Sequence, residues 1–499
     1  MVHRGNTSPK SPTDARYWKP WPCEAVEQRL GADLAFYRPG PVASCEPACP
    51  EYAILMAVSN AREIVRISTL RTLRHCAGQS ARLFVVDNAS TDGAGEWLAA
   101  LHARGEIDLV HNATNLEHGP ALELARRATR SPYLVTLDSD AFPLSDNWLR
   151  ELRALLDGGA KAAGIRHHRD YIHPSCLMVA RTTLDEFGLT FLNEKDRPSQ
   201  LDVAERISCE IKRRGFRIAG LERTADLGRG SISEPVYLGA EYGGIVYHQW
   251  YTTRSALAGG GAVDDVPQAA LDRSLRKLIE RDHTEPREVA VILGVRGRVG
   301  DADRIRNAQA CLRALNLQDL PRWRYRIILV EQDDTPRLER LLAPLADRYL
   351  FIRNPGPYNR GWAFNVGAVH AAARALCLID SDLLVAPDFL RRGLAALGQG
   401  SRALLPFTEV LYLDAPSTAR AIAGHPGVPQ GQLFTTSQGG SMWVEAALYQ
   451  ELGGHDERFR GWGREDREFW NRVSRATRIT VLPGRMLHLD HPRPPMEDE

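Results

Sequence analysis

The stretches LVTLDSDAFP (residues 134–143) and LCLIDSDLLV (residues 376–385) decide how this chain is read. Each is a short apolar run ending in an Asp-Ser-Asp triplet, Asp138 and Asp140 in the first, Asp380 and Asp382 in the second. About one domain length separates the two. A histidine follows each well downstream: His248 in GIVYHQWY, and His488 and His491 in RMLHLDHPRP. An isolated Asp-x-Asp is as readily a solvated acidic turn. Recurrence in equivalent places, each time at the end of an apolar strand, points instead to two sites of one kind.

Around each triplet, short β-branched runs alternate with helical patterns. In the first half EYAILMAVSN, ARLFVVDNAS, DLVHNA and SPYLVTLDSD read as strands; IVRISTLRTLRHC, AGEWLAALHARG and PALELARRAT read as helices. In the second half VAVILGVRG, YRIILVEQDD, YLFIRN and LCLIDSD are the strands. ADRIRNAQACLRAL, RLERLLAPLADR and WAFNVGAVHAAARA are the helices between them. This alternation predicts parallel sheets covered on both faces, with ligands beyond the carboxyl ends of the strands. Asp87, Asn88, Asp138 and Asp140 then share one rim. The expected organisation is a Pro- and aromatic-rich leader (1–50, with Trp18 and Trp21), a first α/β domain (51–255), a linker with a connecting helix (256–287) and a second α/β domain (288–499).

Composition narrows the function. Lys plus Arg number 63 and Asp plus Glu 62, a net charge of +1 across 499 residues, which argues against a polyanion or nucleic-acid binder. No apolar run is long enough to span a bilayer and no signal segment opens the chain, so a cytoplasmic protein is expected, with peripheral attachment to a membrane left open. The 8 cysteines are scattered and are expected to be reduced thiols.

At a strand end, two carboxylates flanking one residue can place one ligand on a divalent ion and the other on the ion's water or a ribose. Hard cations such as Mg²⁺ or Mn²⁺ take oxygen ligands and are often shared with substrate phosphates. His488 and His491 are alternative further ligands, with Met486 a weaker option; His248 serves either as a ligand or as a core residue. In RFRGWGREDREFW, Gly461 and Gly463 present the Trp462 indole, which suits stacking on a sugar. Glu465 and Asp466 open a helix whose dipole favours a carboxylate, and one of them suits a general base. In the first half Asp202 is the corresponding acid, with Asp196 and Glu205 as rivals.

These segments carry a resemblance. AVSNAREIV, FVVDNASTDGAGEWL and LVTLDSDAFP make the first half similar to family 2 glycosyltransferases of the GT-A, Rossmann-like nucleotide-diphospho-sugar transferase fold. That resemblance implies contacts from Ser59, Asp87, Asn88 and Ser90 to the nucleoside of a UDP-sugar. It further implies a metal and donor site at Asp138 and Asp140, and Asp202 as base. The segment NATNLEHGPALELARRA keeps the family's Asn/Gly pattern only loosely, at Asn115 and Gly119. The second half, through PYNRGWAFNVGAVHA, LIDSD, QGGSMWVEAALYQELGGHDERFRGWGREDREF and RMLHLDHP, resembles the family 7 galactosyltransferase and chondroitin-polymerase-like N-acetylgalactosaminyltransferase domains. There the resemblance implies donor contacts from Arg296, Asn359, Arg360, Asn365, Asp380, Gly440, Trp462 and Glu465, metal ligands at Asp382 and His488 or His491, and Asp466 as base. Together they imply two tandem GT-A domains that use Mn²⁺ or Mg²⁺ to invert UDP-sugars onto a glycan or glycosylated carrier. The alternatives are a first domain that only binds acceptor, and a non-catalytic glycan-binding scaffold.

Overall fold

The computed structural model describes residues 49–192, 201–225, 239–250, 268–298, 301–425, 428–435, 439–461 and 464–492. The expectations for the leader with Trp18 and Trp21, for Asp196, for the linker up to Pro267 and for Trp462 and Gly463 lie outside the described residues. The chain divides after Arg276 into two compact units.

The first unit contains strands β1 (Tyr52–Val58), β2 (Ala81–Asn88), β3 (Asp108–Asn112), β4 (Tyr133–Leu137), β5 (Ala141–Pro143), β6 (Ala160–Arg166), β7 (Ile172–Ala180), β8 (Arg217–Leu221), β9 (Arg223–Ala225), β10 (Ala240–Tyr242) and β11 (Val246–His248). Its main sheet runs β3-β2-β1-β4-β7-β6-β8, and a smaller sheet runs β5-β11-β10-β9. The apolar run YAILMAV is β1, buried along nearly its whole length because helices cover both faces of the central strands. Helix His118–Ala128 packs on β1 and β2, and helix Trp148–Asp157 on β6.

The second unit repeats this wiring. Its strands are β12 (Arg287–Val295), β13 (Tyr325–Asp333), β14 (Arg348–Arg353), β15 (Ala373–Ile379), β16 (Leu383–Leu384), β17 (Ala403–Leu405), β18 (Glu409–Leu413), β19 (Gly431–Phe434), β20 (Ser441–Glu445), β21 (Ile479–Val481) and β22 (Arg485–His488). They form sheets β14-β13-β12-β15-β20-β17-β21 and β16-β22-β18-β19. Strand for strand, the order of the main sheet matches that of the first unit. Both units thus have the GT-A architecture, an α/β sandwich with a parallel-dominated sheet.

Three details depart from the sequence expectation. The sheets are not wholly parallel: β7 and β20 run antiparallel to both of their neighbours. The segment RLERLLAPLADR forms only a short helix, Glu339–Leu342, and a 3₁₀ turn, Ala343–Leu345, because Pro344 cannot continue the helix. The helix expected at 362–375 runs Arg360–Val369 instead. It starts early because the Asn359 side chain accepts the Trp362 N–H at 2.9 Å, and it stops where Arg287 N–H binds the Ala372 carbonyl at 2.9 Å and β15 begins.

Candidate functional site

In the first unit, β1, β2 and β4 end at one rim. Asp87, fully buried at the end of β2, accepts the Ser90 N–H at 3.2 Å and meets His111 Nδ1 of β3 at 2.6 Å. A Cβ on Gly95 would come within 2.6 Å of Asp87 Oδ2, so a glycine there makes room for the carboxylate. Asn88 accepts from Asn112 at 2.8 Å and donates to the Glu117 carbonyl at 3.3 Å. Ser90 Oγ accepts the Asn60 N–H, and Ser59 Oγ lies 3.3 Å from Asn115 Nδ2. The four residues matched to nucleoside contacts therefore gather at one rim, held by each other's loops.

The triplet follows directly. Strand β5 pairs with β11 so that Ala141 faces His248, and this register brings the His248 ring over the triplet. His248 Nε2 lies 3.3 Å from Asp140 Oδ1 and 3.8 Å from Asp138 Oδ2. One ligand atom from each of Asp138, Asp140 and His248 falls within 4.8 Å of the others. Asp138 Oδ1 is buried, with the His118 ring nitrogen Nε2 3.2 Å away, and a buried carboxylate oxygen at this position suits a cation. Burial would raise the Asp138 carboxyl, but His118, His173 and His248 outweigh it and hold it well below the usual range.

Asp202 stands at the start of helix Glu205–Arg213, where its N–H bonds Glu205 Oε2 at 2.9 Å. Tyr171 O–H donates to Asp202 Oδ2 at 2.6 Å, and His173 Nε2 lies 3.7 Å away. His173 in turn packs 5.8 Å from His248 and 5.2 Å from Trp250, ring centre to ring centre. The rival Glu205 is buried and ion-paired with Arg169 at 3.0 Å.

The second unit reproduces the register with a different donor set. Strand β16 pairs with β22 so that Leu383 faces His488, the topological match of His248. Both histidines reach Asp382: His491 Nε2 is 3.0 Å from Oδ2 and His488 Nε2 is 3.7 Å from Oδ1. The three form a cluster within 4.8 Å, and Asp382 Oδ1 accepts no hydrogen bond. Burial would raise Asp382, yet the two imidazoles pull it down. Met486 is buried in the apolar core rather than at this cluster.

Asp380 is engaged differently. Arg360, the first residue of its helix, donates from Nε to Asp380 Oδ1 at 2.5 Å and from its terminal nitrogen to Asp466 Oδ1, with Glu465 Oε1 3.5 Å away. One guanidinium thus joins the triplet to the acidic helix Glu465–Ala476. Burial, together with Asp382 and Asp466, raises the Asp380 carboxyl to about 7 against the pull of Arg360. A Cβ on Gly439 would come within 2.7 Å of Asp466 Oδ2, so Gly439 packs its backbone on the candidate base, while Gly440 lies against Leu383.

Other residues matched to donor contacts are committed to the chain itself. Arg296 donates to the carbonyls of Gln332, Asn354 and Gly356 at 2.7–2.8 Å. Asn359 caps the Arg360 helix and donates to the Glu457 carbonyl at 2.6 Å. Asn365 binds His455 and Glu457 and accepts from Tyr449. They shape the loops around Arg360. Sequence reading missed His118, His111, Tyr171 and His173, all brought to the first rim by folding. The His-rich run HHRDYIH and the EHG at a predicted helix start were the available signals.

Residues 54–178 and 303–418 match the family model described as glycosyl transferase family 2, together just under half of the chain. Residues 432–492 match the model described as the N-terminal domain of galactosyltransferase. No curated protein sequence matches the chain. Similar solved structures include a mannosyltransferase from Pyrobaculum calidifontis in complex with GDP-Man and Mn²⁺ (18% identity, 41% of this chain, 63% of that one, TM-score 0.29). Others are TarS of S. aureus (16%, 41%, 37%, TM-score 0.30) and a mutant Drosophila galactosyltransferase 7 in complex with manganese, UDP-Gal and xylobiose (15%, 39%, 64%, TM-score 0.25). The chain spans less than two thirds of each of these proteins. The family 2 match thus recurs in the second half, ahead of the galactosyltransferase match. The N-terminal half is thus similar to family 2 glycosyltransferases, and the C-terminal half, similar to them in part, ends in a galactosyltransferase-type segment.

Proposed function

We propose that the chain is a two-site, metal-dependent, inverting glycosyltransferase that uses UDP-sugars. The observation that carries this reading is the repeated cluster: a triplet aspartate with a buried carboxylate oxygen, facing a histidine set by the same strand register, in both units. Asp138, Asp140 and His248 would hold a divalent ion in the first site; Asp382, His488 and His491 would hold it in the second. Such an ion, Mn²⁺ or Mg²⁺, offsets the charge that develops on a diphosphate leaving group. The family resemblance supports the UDP-sugar and supports galactose or N-acetylgalactosamine for the second site.

In each site the acceptor is a hydroxyl of a glycan or glycosylated carrier. Asp466 and Asp202 take its proton while its oxygen bonds to the anomeric carbon and the bond to the diphosphate breaks, a single displacement that inverts the centre. Arg360 sits between Asp380 and Asp466, placed to face both leaving group and base. Tyr171 and His173 orient Asp202. Ser59, Asp87, Asn88 and Ser90 frame the nucleoside. No helix among the described residues is long and apolar enough to cross a membrane.

The test is UDP release from a panel of UDP-sugars with Mn²⁺, before and after chelation. Metal-dependent release with at least one donor supports the reading; none with any donor and acceptor defeats it.

A further inference from the structure

The first residue of the helix that precedes each triplet strand points a nitrogen at the triplet's first aspartate. In the second unit this is Arg360, 2.5 Å from Asp380 Oδ1. In the first it is His118, which opens helix His118–Ala128 and places Nε2 3.2 Å from Asp138 Oδ1. The matching is topological: each helix joins the third strand of its unit, β3 or β14, to the triplet strand, β4 or β15. Nothing in the family resemblance assigns a role to His118.

We infer that His118 is the diphosphate-binding residue of the first site, the counterpart of Arg360 in the second. The side chain is about one third exposed, so its ring faces the rim rather than the core. An imidazole always carries at least one N–H, so it can donate to a phosphate oxygen without any particular charge state. Asp138, its present neighbour, belongs to the triplet that would hold the ion, so a diphosphate bound at that triplet would lie beside the His118 ring. The Asn/Gly segment that looked degraded in sequence, NLEHG, instead supplies a ligand-facing side chain.

This inference rests on the donor binding at the first triplet, so the experiment separates the two. Full-length protein carrying Asp382→Asn, which silences the second site, is titrated with UDP and with uridine in Mn²⁺ by calorimetry. Further variants on that background are Asp140→Asn, His118→Ala and His118→Arg. His118→Ala is expected to weaken UDP by about tenfold while leaving uridine unchanged, and His118→Arg to restore UDP binding. If Asp140→Asn abolishes UDP binding but His118→Ala binds both ligands as the parent does, the role of His118 is wrong. Equal losses for UDP and uridine, unrescued by arginine, would also overturn it, because they mark a structural effect. If Asp140→Asn itself leaves UDP binding intact, the donor-site reading fails instead.

Discussion

The two units share strand order and histidine register, yet they arrange charge around their triplets in different ways. In the first, both aspartates face one histidine, with His118 beside Asp138. In the second, Asp382 faces two histidines while Asp380 is taken by Arg360, which also holds the candidate base. A conserved scaffold therefore fixes where ligands converge, while the side chains at a handful of strand ends and helix starts decide the chemistry. Within the three-residue clusters the first site offers two carboxylates and one imidazole, the second one carboxylate and two imidazoles, with the permanent cation of Arg360 beside it.

The largest expected effect falls on the bases. Asp466→Asn should lower kcat of the second transfer by about a thousandfold with little change in donor KM, and Asp202→Asn should do the same for the first. If Asp202→Asn leaves the first transfer intact, that unit's base lies elsewhere and the parallel between the sites breaks there.

Next in size is the central cation. Arg360→Ala leaves Asp380, Glu465 and Asp466 facing one another without it and should cost about 3 kcal/mol in chemical denaturation. His118→Ala, at a more open position, should cost less than about 1 kcal/mol. Equal costs would contradict the contrast drawn between a clamped second site and an open first one.

The smallest effect is on pH. Burial, with Arg360 and Arg472 nearby, pushes His455 well below its ordinary value in the second unit, and burial with His168 and Arg169 pushes His167 down to about 4 in the first. Both stay neutral when folded while the unfolded chain takes up a proton below about pH 6.5. Their contribution is therefore complete above that pH and is lost as pH falls toward 4. Thermal midpoints measured at pH 7.5 and 5.0 should fall on acidification, and His455→Asn should shrink the drop for the second unit. An unchanged drop would place the acid sensitivity elsewhere.

Much of the scaffold was legible before folding. The run YAILMAV is continuous and apolar because a strand covered on both faces needs no alternation, and it and YRIILVEQD end within about two residues of where the sequence pattern put them. The pairing direction of β7 and β20 was not legible, since an apolar run carries no sign of its orientation. Of the sites, the triplets and His248 could be read because strand ends are local features. The partnership of Arg360 with Asp466 joins residues far apart in sequence and depends on Gly439 letting the backbone pass close by. His118 and His173 were hidden for the same reason: their partners lie on other strands.

The central claim is that each triplet serves its own transfer, and one measurement addresses it directly: Mn²⁺-dependent release of UDP from a panel of UDP-sugars by the wild type, Asp140→Asn and Asp382→Asn proteins. The account predicts two donors, one lost by about a thousandfold only in Asp140→Asn and the other only in Asp382→Asn. A single donor whose turnover ignores Asp140→Asn, or two donors that both fail in one variant, would contradict it.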